Sequence, residues 1–325
     1  MTNNTRNWTL WIVGMFILLI IPKFIGIVYI NIIVAFAIDA MYAISLNLLL
    51  GFTGLLSFGH ALFFGSGAYA TALSLSHIPG FPLVGAILIG GVTAALLALI
   101  ISPLLVRVSG TAFAMLTLAF GQVMYVFCLK FREITKGEDG IGGFPIPPFK
   151  IPGIISIDMK SPQNFYYFAL VVIILCMLAM WFVTKTPFGS VVVGIRDNAK
   201  RVDYLGFRVP QTKGGILVIS ALFAGIAGSV YALFQNLVST GGVLSAFISF
   251  NPLMMAFIGG AGSFFGPIFG SGVLHLLEQI TTRYTERVEL LNGLVFILVV
   301  MFTTQGLVGY WRTVKQRWLV KEKMA

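Results

Sequence analysis

TPFGSVVVGIRDNAKRVDYLGFRVPQTK, residues 186–213, is the longest strongly basic island in a chain that is otherwise close to continuous hydrocarbon. Its position decides how the rest must be threaded. Thr186 suits an N-cap, Pro187 suits the first helical turn, where a missing N–H costs nothing, and Gly206 suits a C′ stop. Between them Val191, Val192, Ile195, Ala199, Val202 and Leu205 recur at three- and four-residue steps, with Arg196, Asp197, Asn198, Lys200, Arg201 and Asp203 largely opposite. The spacing predicts a short amphipathic helix in a loop, interrupted or weakened at Gly194, where glycine costs about 1 kcal/mol against alanine. Such a helix is either a lipid anchor or a handle gripped by another protein. Lipid anchors carry uniform cations opposite aromatic residues, whereas Asp197 and Asp203 interrupt the cations here and the apolar face is small and aliphatic. The handle is the better reading.

The surrounding composition is that of a membrane protein. The 325 residues are 58% hydrophobic and only 10% charged, with a mean hydropathy of +0.96, where soluble domains are about a quarter charged. The fold class expected is all-α: a polytopic bundle forming a single transmembrane domain over 1–325. Runs of about 17 to 25 apolar residues give about ten spans, some Gly-interrupted, at 9–26, 30–50, 57–76, 82–106, 111–130, 164–184, 213–236, 243–259, 264–281 and 289–309. The run after Arg6 lacks a small-x-small cleavage site before Pro22 and Lys23, so it reads as the first span rather than a signal peptide.

With both termini cytoplasmic, the inside holds 13 of the 21 Lys and Arg and only three acids, among them the coupling loop 185–212 and the basic tail 310–325. That asymmetry follows the positive-inside rule and accounts for the net charge of +10 without any nucleic acid. Trp311 and Trp318 in the tail fit a lipid-interface anchor. The long outside segment, 131–163, is rich in Pro and Gly and reads as loop, with a short strand or interfacial piece near Ile154 to Ile157.

Two stretches break the hydrocarbon rhythm: Gly51 to Tyr69, GFTGLLSFGHALFFGSGAY, and Gly259 to Gly272, GGAGSFFGPIFGSG. Each holds a Ser-Phe pair followed by Phe-Gly-Ser-Gly. Glycines at such spacing let helices approach closely. Clustered Gly and Pro also let a helix break where its backbone can meet a solute. A substrate path is therefore assigned to Asp39, Asn47, Ser57, Gly59, His60, Gly65, Gly67, Gly262, Ser263 and Gly266, with tight packing the plainer reading of any single glycine. Asp39 is the one acid deep in a span and must face the interior, paired or protonated. Its candidate partners are Asn47, His60 and His275, and a structural hydrogen bond is slightly favoured over a substrate or ion role.

Enzyme chemistry has no foothold. There is no Walker A sequence, and Gly-Lys occurs nowhere. The three histidines (His60, His77, His275) are scattered, and Cys128 and Cys176 are far apart in apolar runs. No catalytic residue, metal site or cofactor is expected.

Several stretches together resemble one family, the permease subunits of LIV-type importers for branched-chain amino acids, driven by ATP-binding cassettes. They are SLNLLLGFTGLLSFGHALFFGSGAY at 45–69, TLAFGQ at 117–122, GEDGIGGFP at 137–145, TPFG, GIRDN and LG within 186–206, ISALFAGIAGSVYA at 219–232 and FIGGAGSFFGPIFGS at 257–271. The resemblance covers nearly the whole chain in the family's order. It implies a multi-pass inner-membrane subunit working with a second permease subunit, two cytoplasmic ATP-binding subunits and an extracytoplasmic solute-binding protein. Gly189, Arg196, Asp197 and Gly206 would be the ATPase-coupling residues. Leu55 stands where the family commonly has glutamine and Ser190 where it has arginine. The solute thus stays open between apolar amino acids and urea, short amides or another small solute. An ion-coupled secondary transporter is the runner-up from another class, and an integral-membrane enzyme the third.

Overall fold

A computed structural model describes residues 21–151, 155–282, 288–302 and 306. The long apolar runs fold as helices: α1 (Ile27–Thr53), α2 (Ala61–His77), α3 (Leu83–Leu105), α4 (Thr111–Lys130), the single turn α5 (Arg132–Thr135), α6 (Pro162–Lys185), α7 (Pro187–Tyr204), α8 (Val209–Gln235), α9 (Thr240–Leu244), α10 (Ala246–Gly259), α11 (Gly266–Thr281) and α12 (Val288–Phe302). Among the described residues six segments are long and apolar enough to cross a membrane, α9 and α10 counting as one. The expected first span lies almost wholly outside the described residues, as does the tail.

The centre of the bundle is α8, which packs against α1, α2 and α3. Glycine makes that packing possible. A Cβ on Gly67 would stand 2.2 Å from the Gly225 carbonyl oxygen, and one on Gly228 would stand 1.9 Å from that of Phe64. Helices without a hydrophobic drive between them gain dispersion energy by such backbone approach. The outer helices instead turn large apolar side chains outward, Leu96, Leu99 and Ile100 on α3 and Leu175, Leu178 and Phe182 on α6, as hydrocarbon surroundings permit.

One end of the bundle carries the segment between α5 and α6. β1 (Ile141–Gly142) pairs antiparallel with β4 (Leu237–Val238), and β2 (Phe149–Ile151) pairs with β3 (Ile155–Ile157), the strand expected near 154–157. These short strands qualify the all-α expectation at this end only. The Thr240 hydroxyl donates to the Gly137 carbonyl at 2.8 Å and meets the Tyr69 hydroxyl at 2.8 Å, so the segment is pinned to α2 and α9.

α7 lies at the other end. Thr186 caps it, its hydroxyl accepting from Gly189 N at 3.3 Å, and Gly206 follows it at φ +88°. The break within it is at Asn198 (φ −160°, ψ 96°), not at Gly194 as the sequence suggested. Gly194 stays helical, whereas the Asn198 side chain accepts from Arg201 N at 3.0 Å and so caps a second, short segment.

Candidate functional site

Both Gly- and Ser-rich stretches interrupt helices. Gly54 closes α1 in the left-handed region (φ +74°), and residues 54–60 are non-helical before α2 begins at Ala61. This segment runs back into the bundle. The Ala61 N–H donates to Ser249 Oγ of α10 at 2.9 Å, and Phe58 N donates to Thr117 Oγ1 of α4 at 3.2 Å. His60 Nε2 meets Ser45 Oγ at 3.0 Å. Ser45 is eight residues, about 12 Å, inside the end of α1, so α2 starts within the depth of the bundle. Its first N–H groups are taken up there, Leu62 N by the Gly59 carbonyl and Phe63 N by that of His60, beside the bond from Ala61 to Ser249.

The second interruption, residues 260–265, turns α10 into α11. Asn47 Nδ2 donates to the Ser263 carbonyl at 2.9 Å, tying this turn to α1. His275, near the middle of α11, places Nε2 at 2.8 Å from Asp39 Oδ2. Of the three candidate partners for Asp39, the fold selects the one 236 residues away.

Asp39 also lines a cavity. The inner cavity, about 30 Å³, is bounded by Asp39 and Tyr42 of α1, Phe64 of α2, Tyr231 of α8, Gly242 of α9 and Ile248, Asn251, Pro252 and Met255 of α10. Tyr42, Phe64 and Tyr231 make its aromatic wall, with ring centroids 4.5 Å apart for the first pair and 5.4 Å for the second. A second cavity of about 210 Å³ shares Tyr231 and Gly242 and is otherwise lined by Gln235, Leu237, Ser239 and Val243. It lies at the end of α8 beside β4. The two cavities are neighbours, with Tyr231 and Gly242 on the wall of both.

Among the residues assigned to a substrate path from sequence, only Asp39 lines either cavity. Gly59, Gly65, Gly67 and Gly266 are contact points: a Cβ on each would stand within 2.4 Å of another residue's atom, on Gly59 1.8 Å from the Thr117 carbonyl oxygen. Gly262 is exposed with open space around it. Asn47, Ser57 and His60 are buried beside the breaks, and Ser263 is half-buried. Asn47 Oδ1, Ser57 Oγ, His60 Nδ1 and the Tyr42 hydroxyl find no hydrogen-bond partner among the described residues, an uncommon concentration of unpaired buried polar atoms. Sequence reading missed Tyr42, Phe64, Tyr231, Gln235 and Asn251. The one available signal was Asn251, a lone amide in an apolar span.

At the opposite end, Arg196 is engaged within the chain. Its Nη1 donates to the Gly51 carbonyl at 2.7 Å, while Nε and Nη2 donate to Asp197 Oδ1 at 3.1 and 3.0 Å. The pattern of charges had turned Arg196 outward with the rest of the polar face. The unpaired carbonyls and negative dipole end of α1 draw it inward instead. Asp197 is exposed beside it, and Gly189 and Gly206 stand at the two ends of α7. A Cβ on Gly189 would sit 2.6 Å from the carbonyl oxygens of Val183 and Thr184, so glycine allows α7 to turn sharply off α6. The large apolar residues that remain uncovered are Tyr204, Leu205 and Phe207, at the C-terminal end of α7.

Bundled apolar helices, six segments of spanning length among the described residues, with two helices starting at interruptions inside the bundle, define a multi-pass membrane protein. Residues 28–304 match the family described as branched-chain amino acid transport system, permease component, and the chain belongs to that family. It is an inner-membrane protein. The high-affinity branched-chain amino acid transport system permease protein LivM of Escherichia coli K12 is 27% identical over 282 residues, 81% of this chain and 66% of LivM. The corresponding LivH of Escherichia coli K12 is 22% identical over 288 residues, 83% of this chain and 91% of LivH. The guanosine ABC transporter permease protein NupQ of Bacillus subtilis is 29% identical over 130 residues, 38% of this chain and 39% of NupQ. The chain thus spans just under two thirds of the length of the LivM relative. No solved structure matches.

Proposed function

We propose that this chain is the membrane-spanning subunit of an ATP-driven importer for branched-chain or other apolar amino acids, crossing the membrane about ten times with both termini cytoplasmic. It works with a second permease subunit, two cytoplasmic ATP-binding subunits and an extracytoplasmic solute-binding protein. The observation that carries this reading is the family match along 28–304 in a chain without any P-loop of its own. ATP must therefore be hydrolysed elsewhere and its work delivered through a surface such as α7. The α7 end is assigned to the cytoplasm and the 131–163 segment, with the solute-binding protein, to the outside.

Reconstitution tests it. Leucine uptake into proteoliposomes is expected only when separate ATP-binding subunits and ATP are present. Uptake by the isolated chain on an ion gradient would replace this reading with a secondary transporter. The likeness to NupQ makes a nucleoside the alternative solute. ATP-dependent uptake of guanosine in place of leucine would select it. For sidedness, a cysteine at the exposed Asp139 is expected to react with an impermeant thiol reagent added outside intact cells. Reaction only after permeabilisation would invert the topology.

A further inference from the structure

We propose that the inner cavity is a binding site for the ammonium group of the solute, with Asp39 as its counter-charge and the Tyr42 hydroxyl as a second acceptor. The inference deepens the transport reading and rests on it for the identity of the solute, though not for the ammonium chemistry. Four observations converge.

Among the described residues Asp39 is the only charged one on the walls of either cavity. A cavity whose single charge is a carboxylate attracts a cation and repels the solute's own carboxylate. Its carboxyl is held from one side only, Oδ2 meeting His275, and its side chain keeps 33% of its surface open. That leaves lone pairs for a ligand.

Tyr42 lines the same cavity, and its hydroxyl is buried with no partner among the described residues. A buried hydroxyl left unpaired is costly, and a ligand that donates to it removes the cost. Tyr42, Phe64 and Tyr231 set three aromatic rings around the cavity, and ring faces favour a cation at short range.

Size agrees with the assignment. About 30 Å³ admits a small polar head and no whole amino acid, whereas the outer cavity of about 210 Å³, reached past Tyr231 and Gly242, has room for an aliphatic side chain. The outer cavity also supplies Gln235 and Ser239 as donors for the solute's carboxylate. An amino acid would therefore lie with its ammonium inward.

Two measurements decide it. In the complete importer, Asp39→Asn is expected to lower leucine uptake at least about tenfold, the weight of one charge-assisted hydrogen bond, while loaded binding protein still stimulates ATP hydrolysis. Tyr42→Phe, which removes a hydroxyl without an internal partner, is expected to lower uptake by a smaller factor. Wild-type uptake in either variant overturns the site and leaves the importer reading standing. The second measurement is independent of Asp39 folding and of transport. A cysteine at Asn251 is labelled with a small thiol reagent in the presence of leucine, isopentylamine or 4-methylpentanoate. Leucine and the amine are expected to slow labelling and the acid to leave it unchanged. Equal protection by amine and acid, or protection by neither, overturns the ammonium site even where the importer proves to carry another solute.

Discussion

Gly67→Val is expected to prevent the bundle from assembling, cutting the yield of folded protein far below that of the parent. Gly67 of α2 and Gly225 of α8 meet backbone to backbone: a Cβ at 67 would lie 2.2 Å from the Gly225 carbonyl oxygen and 2.5 Å from its Cα. A clash with a side chain could be relieved by a rotamer change. This one can be relieved only by moving one helix off the other. The same pair of helices meets again where Gly228 faces the Phe64 carbonyl, and α3 joins through Gly90 against Ser229, so a shift at one point loosens contacts along the whole seam. Overpacking a core costs about 1 to 3 kcal/mol when side chains can adjust, and the value here is expected to lie at or above the top of that range. Phe64, which walls the inner cavity, would be carried with α2. Monodispersity in size-exclusion chromatography and the thermal midpoint in detergent are the measurements. Gly262→Ala is the control, since nothing lies within 4 Å of a Cβ there. A Gly67→Val protein as monodisperse and as heat-stable as the control would show that the close approach is not needed.

That contrast also marks what was legible in the sequence. The interruptions at 54–60 and 260–265 were readable because Gly, Ser and Pro clusters break helices locally. The caps of α7 were readable for the same reason, Thr186 and Gly206 acting within a turn of themselves. Which glycines serve packing was not readable. Gly67 and Gly262 sit in similar surroundings along the chain, and only the arrival of α8 separates them. The cavity was hidden by the same logic. Tyr42, Phe64 and Tyr231 each read as one more apolar residue in a helix, and they converge only because α1, α2 and α8 share the centre of the bundle. Asp39 was conspicuous as a charge in hydrocarbon, yet its partner could be named only once α11 was seen to lie against α1. Within α7, local propensity put the weak point at Gly194. The capping bond from Asn198 to Arg201 N, worth about 1 kcal/mol, favours the break at Asn198, while the similar cost of a helical glycine is borne without a break at Gly194.

Arg196→Glu is expected to uncouple ATP hydrolysis from uptake rather than to release the ATP-binding subunits. The guanidinium bridges two elements. It donates to the Gly51 carbonyl in the last turn of α1 and is held in place by Asp197. Its Cγ lies 3.1 Å from where a Cβ of Gly54 would be, over the left-handed turn that opens the re-entrant segment 54–60. A displacement of α7 is therefore transmitted to the end of α1 and to the segment carrying Ser57 and His60. Glutamate would set a negative charge against the carbonyl end of α1, where the helix dipole already disfavours it, and the strut would become a repulsion. Uptake is expected to fall at least about tenfold, the size of one charged hydrogen bond lost. The ATP-binding subunits should still co-purify, because the uncovered apolar residues Tyr204 and Leu205, 87% and 69% exposed, are untouched. Arg196→Lys, which keeps the charge and loses the planar fork, should fall between. Tyr204→Asp with Leu205→Asp is expected to do the opposite and abolish co-purification. Loss of the ATP-binding subunits from the Arg196→Glu protein would return Arg196 to the docking surface that its place among the charges of α7 first suggested. Undiminished, coupled uptake would show that the contact with Gly51 transmits nothing.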